Sequence, residues 1–260
     1  MLCFAVFALT YILPFFMTGA YSLQENRFTH RFVGLANYPK VWQNSWAQLA
    51  LKNTLCVTLA LVGCGALTSL LLGFLLHRHR EWMAVGAVIL LAPMFIPSAS
   101  VATLWRAVFE TNAFSPPARC YAALVSLFTW KYAGVGALLI CIGLSEIPDR
   151  LIYAARLDGA RSPRILFRVR LPLIRRQVAL TLLFLLMYAL RIYKESYLLF
   201  GEYPADCMYL IQHYMNNHFV KMNFQNIATA AMSLATASLL AYALLSPFAR
   251  KGPRANSKSR

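Results

Sequence analysis

Long uncharged apolar runs alternate along this 260-residue chain with short polar, arginine-rich connections. Six runs are long enough to cross a hydrocarbon core, which takes about 20 helical residues. They cover roughly 1–22, 52–76, 82–108, 120–145, 177–200 and 225–249. The second, third and sixth have uncharged cores. The fourth carries Lys131 near its middle, and the fifth is uncharged from Gln177 to Leu190 before Arg191, Lys194 and Glu195. No internal repeat or low-complexity linker divides the chain. The pattern predicts an all-α polytopic membrane protein with about six transmembrane helices and a single transmembrane domain over residues 1–260. Pro93 and Pro97 fall inside the third run, where proline bends a helix and frees carbonyls for neighbouring groups; a moving kink and a static bend both fit. The first run reads as a retained helix rather than a cleaved signal peptide. Thr18-Gly19-Ala20 resembles a cleavage site, but no Lys or Arg precedes the apolar core and Pro14 interrupts it. Its abrupt start leaves room for a missing cytoplasmic leader.

Composition agrees. Hydrophobic residues make up 59% of the chain and charged residues 13%, about half the charged share of a soluble domain. Mean hydropathy is +0.54. This excludes a soluble enzyme, a secreted disulfide scaffold and a disordered chain. The net charge of +16, from 25 Lys and Arg against 9 Asp and Glu, would suggest nucleic acid in a soluble protein. Its distribution gives another reason. Arg78 and Arg80 follow the second run. Eight arginines, from Arg150 to Arg176, lie between the fourth and fifth, and Arg250, Lys251, Arg254, Lys258 and Arg260 occupy the tail over 250–260. In a six-span arrangement these fifteen lie on one side. Arg27, Arg31, Lys40 and Lys221 lie on the other, with Arg119 at the border. The positive-inside rule makes the richer side, and both termini, cytoplasmic. No nucleic-acid partner is needed.

The six cysteines are scattered without a CxxC pair. Those at 3, 56, 64 and 141 lie in apolar runs, where cysteine behaves as a small hydrophobe. Only Cys120 and Cys207 lie where a disulfide would be conceivable, and spacing alone does not pair them. The loop Leu23–Gln48 is aromatic, with Phe28, Phe32, Tyr38, Trp42 and Trp46. An interfacial belt explains it more simply than a partner-docking surface.

The connection from Glu146 to Arg176 is long for an inter-helix loop, and it is patterned. Pro148 and Asp149 suit the first turn of a helix, proline for its fixed φ and aspartate for the helix dipole. Leu151, Ala154, Ala155 and Leu157 form an apolar face beside Arg150, Arg156 and Asp158, and Gly159 and Ala160 follow. Ser162-Pro163 begins another turn, Leu166, Phe167 and Val169 pack back toward the membrane, and Leu171-Pro172 enters the fifth run. The physical pattern fits two readings equally. In one, the small residues Ala154, Ala155, Gly159 and Ala160 admit another protein's backbone. In the other, arginines hold an amphipathic helix on anionic lipid.

These residues resemble a family. The stretch from Ile147 to Ala160 (IPDRLIYAARLDGA), followed by Phe167 and Leu171-Pro172, is similar to the signature loop of ABC importer permeases, in particular the carbohydrate-type branch for maltose and glycerol phosphate. Phe32–Tyr38 with Asn53-Thr54, and Trp130-Lys131 before Leu144–Pro148, resemble further stretches of that branch. The likeness runs from about residue 30 to 249. It implies a permease subunit of a bacterial inner-membrane importer for a sugar or oligosaccharide. Such a subunit works by alternating access with cytoplasmic ATPase subunits, a second permease (a heterodimer in this branch) and an extracytoplasmic solute-binding protein, and it requires no cofactor. The loop 146–176 becomes an ATPase-coupling segment, with Tyr153, Ala154, Ala155, Asp158, Gly159, Ala160 and Pro172 at matching positions. Tyr153 departs from the pattern: the family has Glu there, so any salt bridge to the ATPase is absent or replaced by a tyrosine contact.

Charged groups inside a span are costly and tend to face a cavity or partner. Lys131, Arg191, Lys194, Glu195 and Tyr197 are therefore candidates for a translocation path. Tyr193 and Tyr197 offer ring faces, and Arg191 and Glu195 are placed to pair at i,i+4. Snorkelling to the interface is the competing reading for the fifth-run charges. Gly201–Phe224 holds Gln212-His213 and Asn216 to His218, which suit a short helix or re-entrant turn at a gate or binding-protein contact. Neither this segment nor His77-Arg78-His79-Arg80 shows a metal-ligand set. The chain lacks GxxxxGK[ST], HExxH and GxSxG motifs, so it supplies neither the ATPase nor a hydrolase. A lipid-binding membrane enzyme or assembly factor, and a secondary transporter working alone, are the alternatives.

Overall fold

The computed structural model describes residues 6–25, 31–112 and 115–250. Among these residues it is helical throughout, apart from turns and one isolated bridge between Gln24 and Phe32. The first run is helical from Val6 to Ser22, ending in α1 (Leu13–Ser22). A short α2 (Asn37–Trp42) follows. Asn37 ties the chain back by donating to the carbonyls of Ser22 (2.9 Å) and Gln24 (2.7 Å).

The long α3 spans Ser45–Arg78 and starts several residues before the apolar run does. The cause is local: the Asn44 side chain accepts from the amides of Trp46 (2.9 Å) and Ala47 (3.3 Å), satisfying first-turn donors that would otherwise be orphaned. The third run forms two half-helices, α4 (Met83–Phe95) and α5 (Ser98–Phe109), meeting at 92°. Pro97 forces Ile96 into extended backbone (ψ 133°) because its ring crowds the preceding residue out of the helical region. The kink expected of the prolines is thus a corner. Next come α6 (Pro117–Ser145), α7 (Asp149–Leu157) and α8 (Ser162–Leu173). α9 (Arg175–Ala189) leaves α8 at 73°. The fifth run is also interrupted: a turn at 190–192 separates α9 from α10 (Tyr193–Phe200). α11 (Ile211–Val220) and α12 (Phe224–Arg250) complete the fold.

Among the described residues three helices, α3, α6 and α12, are each long and apolar enough to span a membrane, and there are up to five spans if each bent pair counts as one. The two longest, α3 and α6, run parallel. Ser69 lies against Ala133, where its hydroxyl donates to the carbonyl (2.9 Å), and His77 lies against Ser145 (3.3 Å). Their approach depends on glycine: a Cβ at Gly73 would lie 2.8 Å from the Ala137 carbonyl oxygen, and one at Gly136 would collide with Ser69 Oγ; Gly134 does the same for α4, where a Cβ would collide with the Leu90 carbonyl. Small residues that let backbones meet are how helices associate where lipid removes the hydrophobic drive.

Burial follows the same logic. Phe128, Leu61 and Leu185 fill the centre, and Ser69, Thr181, Lys131 and Glu195 are also buried. Leu55, Leu59, Leu67, Leu71 and Leu75 of α3 and Leu239, Leu240 and Leu244 of α12 are exposed. A surface this apolar is stable against lipid, not water.

Candidate functional site

Three segment starts or middles converge on one buried polar cluster. Ser98 opens α5 just past the corner, Lys131 is midway along α6, and Glu195 is in the first turn of α10 just past the 190–192 turn. Glu195 Oε1 accepts from the Ser98 hydroxyl (2.8 Å), Lys131 Nζ (3.2 Å) and the Tyr132 hydroxyl (3.3 Å). Lys131 also donates to Ser98 Oγ (2.7 Å) and lies 5.6 Å from the centre of the Tyr132 ring. The Lys131 and Glu195 side chains are each 5% exposed. A pair this dry is electrically neutral as a unit, and the two hydroxyl donors beside the ammonium add to what holds Glu195 Oε1 in the interior.

This corrects one pairing. Arg191 and Glu195 do not bond across one helical face, because the chain turns at 190–192 and breaks the i,i+4 relation; Glu195 is taken by Lys131 instead. Arg191 lies exposed in that turn. Lys194 and Tyr197 face a separate cavity of about 380 Å³ shared with Ala99, Tyr193, Leu198 and Asn216. Tyr193 and Tyr197 stack in a tilted pair, 5.8 Å between centroids. The five candidate path residues therefore divide: two line a cavity, two form a buried tie beside it, and one is at a turn. Ser98 escaped the sequence reading, although a small hydroxyl residue opening a half-helix just after Pro97 was a usable signal; Asn216 was read as part of a gate or binding-protein contact and lines this cavity instead.

At the end of α6 where Ser145 lies, Glu146 Oε2 accepts from Gln177 Nε2 (3.1 Å) and the chain enters α7. The helix forms as the sequence indicates, with Pro148 at the cap position and Asp149 in the first turn. Only Ile152 is buried, at 8% exposure. Tyr153, Ala154, Arg156 and Asp158 are exposed, Ala155 is half-buried, and Leu157 is 89% exposed. Gly159 ends the helix with φ +76°. Its amide donates to the Arg156 carbonyl and that of Ala160 to the Ala155 carbonyl, both at 3.0 Å. This paired closure needs a left-handed residue, and glycine adopts it without Cβ strain. Gly159 is therefore explained within the chain by its backbone, and a Cβ there would meet nothing within 4 Å. Phe167 is 66% exposed, while Ile165 and Ile174 are the buried residues of this stretch. A π-helical turn covers Leu166–Arg170. Pro172 is exposed.

On the opposite end of α3, the segment 206–211 is stitched down by the pair noted in the sequence. Asn53 Nδ2 donates to the carbonyls of Asp206 and Tyr209, the latter at 3.1 Å, and Thr54 Oγ1 accepts from the Ile211 amide at 2.9 Å. His213 is fully buried, its Nδ1 accepting from the Leu210 amide (3.2 Å). Burial holds its pKa down to about 4. Cys120 and Cys207 come close enough to interact, yet both are free thiols. Phe28 lies outside the described residues.

Such a fold, with a lipid-facing apolar surface, broken helices meeting at buried charges and an exposed amphipathic helix at one end, is that of a membrane transport subunit. Residues 65–251 match the family described as the binding-protein-dependent transport system inner membrane component, and the chain belongs to that family. It is the permease of such a system, not an enzyme. It is similar to the osmoprotective compounds uptake permease protein of Synechocystis sp., 24% identical over 213 residues, 73% of this chain and 76% of the other. It is also similar to the trehalose transport system permease protein of Mycobacterium tuberculosis, 26% identical over 197 residues, 69% and 64% of the two chains. The fold matches a crystal structure of a bacterial ABC transporter involved in the import of the acidic polysaccharide alginate. There the TM-score is 0.78 at 20% identity, covering 96% of this chain and 93% of that one.

Proposed function

We propose that the chain is one of two different permease subunits of an ATP-driven importer for a sugar or oligosaccharide. Its helix Asp149–Leu157 is the element that docks a cytoplasmic ATPase. The observation that carries this reading is the bare outward face of that helix: Tyr153 and Leu157 are 60% and 89% exposed, and none of the described residues covers them. Uncovered apolar area on a helix held by an inward Ile152 is what a partner groove would bury. Tyr153, at the position where the family carries Glu, offers a ring and a hydroxyl instead of a carboxylate. The solute class is supported by relatives named for trehalose, sulfoquinovosyl glycerol and sn-glycerol-3-phosphate. In this reading the first helical run and the two bent pairs all span, giving six crossings with both termini cytoplasmic. A solute-binding protein delivers from outside to the Lys194–Tyr197 cavity, and Lys131–Glu195 ties its wall.

The test is affinity capture of the tagged full chain from native membranes in mild detergent, with identification of co-purifying subunits by mass spectrometry. An ATPase and a second permease are expected with the wild type. The ATPase is expected to be lost with Leu157→Asp and Tyr153→Ala, exposed positions whose change leaves the chain folded. Recovery of the chain alone, or equal ATPase recovery with both variants, would overturn the assignment. Dependence on Arg156 and Arg164 but not on Leu157 would indicate lipid binding instead.

A further inference from the structure

Two thiols from distant parts of the chain meet at the end of the molecule opposite helix Asp149–Leu157. Cys120 lies at the start of α6 and is 1% exposed. Its Sγ donates to the Ser115 carbonyl (3.4 Å). Cys207 is the middle residue of the single turn Asp206–Met208, on the connection from α10 to α11, and is half-buried. The backbones of α6 and of this turn come within 8 Å of each other. Cys207 packs on the apolar cluster that holds Cys120, and the two side chains interact directly. A disulfide spans about 4.4–6.8 Å between Cα atoms, so the approach is of the right order. Other bonds set this register. Asn53 donates to the carbonyls of Asp206 and Tyr209, which flank Cys207, and the adjacent Met208 is fully buried. The rest of the connection is held more lightly: Gly201 turns it at φ +84°, and Tyr203 and Asp206 are exposed. One buried cysteine is explained as a small hydrophobe. That does not explain a second, partly accessible one brought against it from another segment. Cys56 is the rival partner. Like Cys207 it lies near Tyr121, but it is exposed on α3.

We infer that Cys120 and Cys207 are a disulfide-forming pair that closes the 201–210 connection onto α6. The importer reading supplies only the compartment: it puts this end of the molecule outside, where disulfides persist. The oxidant is an external disulfide, RSSR. Cys207, the accessible thiol, gives up its proton and its sulfur attacks one sulfur of RSSR. The S–S bond of RSSR breaks, one RSH leaves, and Cys207 holds a mixed disulfide. Cys120 then gives up its proton, attacks the Cys207 sulfur and expels the second RSH. Two protein thiols are oxidised to one disulfide, and one external disulfide is reduced to two thiols. The order follows from exposure, since Cys120 is too deeply buried to meet RSSR first. Burial also pushes the Cys207 thiol above its ordinary range, which keeps its thiolate scarce and the first attack slow. Once closed, the bond anchors the turn covalently to α6 beside the Asn53 anchor to α3.

The experiment uses the full chain with its co-purifying subunits in lipid nanodiscs, first reduced and then incubated with oxidised glutathione. Free thiols are blocked with N-ethylmaleimide, and the chain is digested without reductant for mass spectrometry. The Cys120 and Cys207 peptides are expected to be joined, and to separate after dithiothreitol. Cys120→Ser should instead trap glutathione on Cys207, because the second thiol is gone. Cys120→Ala gives the same readout should the serine variant fold poorly. Cys207→Ser should leave Cys120 free of glutathione. In limited proteolysis the joined form should be cut within 201–210 at least about tenfold more slowly than the reduced form. Four results would each overturn the inference: no joined peptide, Cys207 joined to Cys56, glutathione on Cys120 in Cys207→Ser, or equal cleavage of the joined and reduced forms. Joining is read on this chain's own peptides whether or not an ATPase co-purifies, so this inference and the importer assignment fail separately.

Discussion

Breaking the buried Lys131–Glu195 pair from its two ends should have unequal consequences. Glu195 Oε1 has three donors around it, Ser98 Oγ, Lys131 Nζ and Tyr132 OH. Lys131 Nζ has two acceptors, Ser98 Oγ and Glu195 itself. In Lys131→Met the carboxylate keeps two hydroxyl donors. In Glu195→Leu the ammonium keeps one hydroxyl and has no compensating charge. Removing one partner of a buried pair costs about 3–5 kcal/mol, whereas replacing both by apolar groups is often neutral. Lys131→Met should fall at the low end, Glu195→Leu at the high end, and the double variant below either single. The stability assay uses the chain's own thiols. Cys120 and Cys141 are buried while Cys56 and Cys64 are exposed, so in a reduced Cys56→Ser, Cys64→Ser background a thiol-reactive fluorogenic dye in detergent reports exposure of the buried thiols on heating. At about 2–4 °C per kcal/mol, Glu195→Leu should lower the midpoint by roughly 10–20 °C. Additive single and double effects, within about 0.5 kcal/mol, would refute the pairing as the source of the energy. A Lys131→Met loss larger than that of Glu195→Leu would refute the donor count.

Gly159→Ala should weaken the end of helix Asp149–Leu157 by about 1–2 kcal/mol through left-handed strain while Gly159→Asn costs less; amide hydrogen exchange over 155–162 distinguishes them. Asn53→Ala removes the donor to Asp206 and Tyr209 and should cost about 1–3 kcal/mol, read as faster proteolytic cleavage within 201–210. His213, with its pKa depressed to about 4, binds a proton more readily unfolded than folded. Its contribution is complete above the ordinary histidine pKa near 6.5 and is lost as pH falls from there toward 4, on the order of 3 kcal/mol in all; thermal midpoints across that range should flatten in His213→Gln. Gly73→Leu should disrupt the α3–α6 contact by about 1–3 kcal/mol or more, seen as a lower midpoint with the same dye.

Hydropathy located the helices well because lipid demands one property of every outward residue. The runs at 52–76, 120–145 and 225–249 each sit inside a single long helix. It located their interruptions poorly. The apolar content of 82–108 is unbroken, yet Pro97 turns it through 92°, and the size of a proline corner is set by what packs on either side. The break at 190–192 has no proline or glycine at all. There the buried charge of Glu195 must reach Lys131 on α6, a tertiary demand that local composition does not encode. The pairing of Arg191 with Glu195 failed for the same reason, since an i,i+4 rule presumes the helix that the tertiary contact breaks. The Asp149–Leu157 helix was legible because its start and stop use local devices, Pro148-Asp149 and Gly159. A pocket lined by Trp46 and His218 was not, since the two are far apart in sequence and meet only when Asn53 and Thr54 fasten the segment over α3.

The two interruptions explain each other. A carboxylate and an ammonium cannot be left in a lipid-facing helix at tolerable cost, and a straight fifth helix would put Arg191, Lys194 and Glu195 (i, i+3, i+4) on one face, so that turning Glu195 inward would turn the other two inward with it. Ending α9 at Ala189 and restarting at Tyr193 lets Glu195 enter the interior while Arg191 and Lys194 stay exposed. The corner at Pro97 does the complementary work, starting α5 with Ser98 beside the carboxylate. The unpaired amides of a helix start carry partial positive charge, which favours an acidic neighbour at that place. The cluster thus joins two helix starts to the middle of the continuous α6. A displacement of either half-helix must carry the Glu195 carboxylate with it or break its bonds. Since α9 and α10 continue directly from the segment after Gly159, a shift of that segment has a covalent route to Glu195 and the wall of the Lys194–Tyr197 cavity. In Glu195→Gln, which keeps the side chain's size and removes its charge, that route loses its electrostatic anchor on α6. On the proposed importer reading, such a variant should still recruit the ATPase but hydrolyse ATP without matching solute uptake. Uptake and hydrolysis falling in equal proportion would show that the tie serves stability alone.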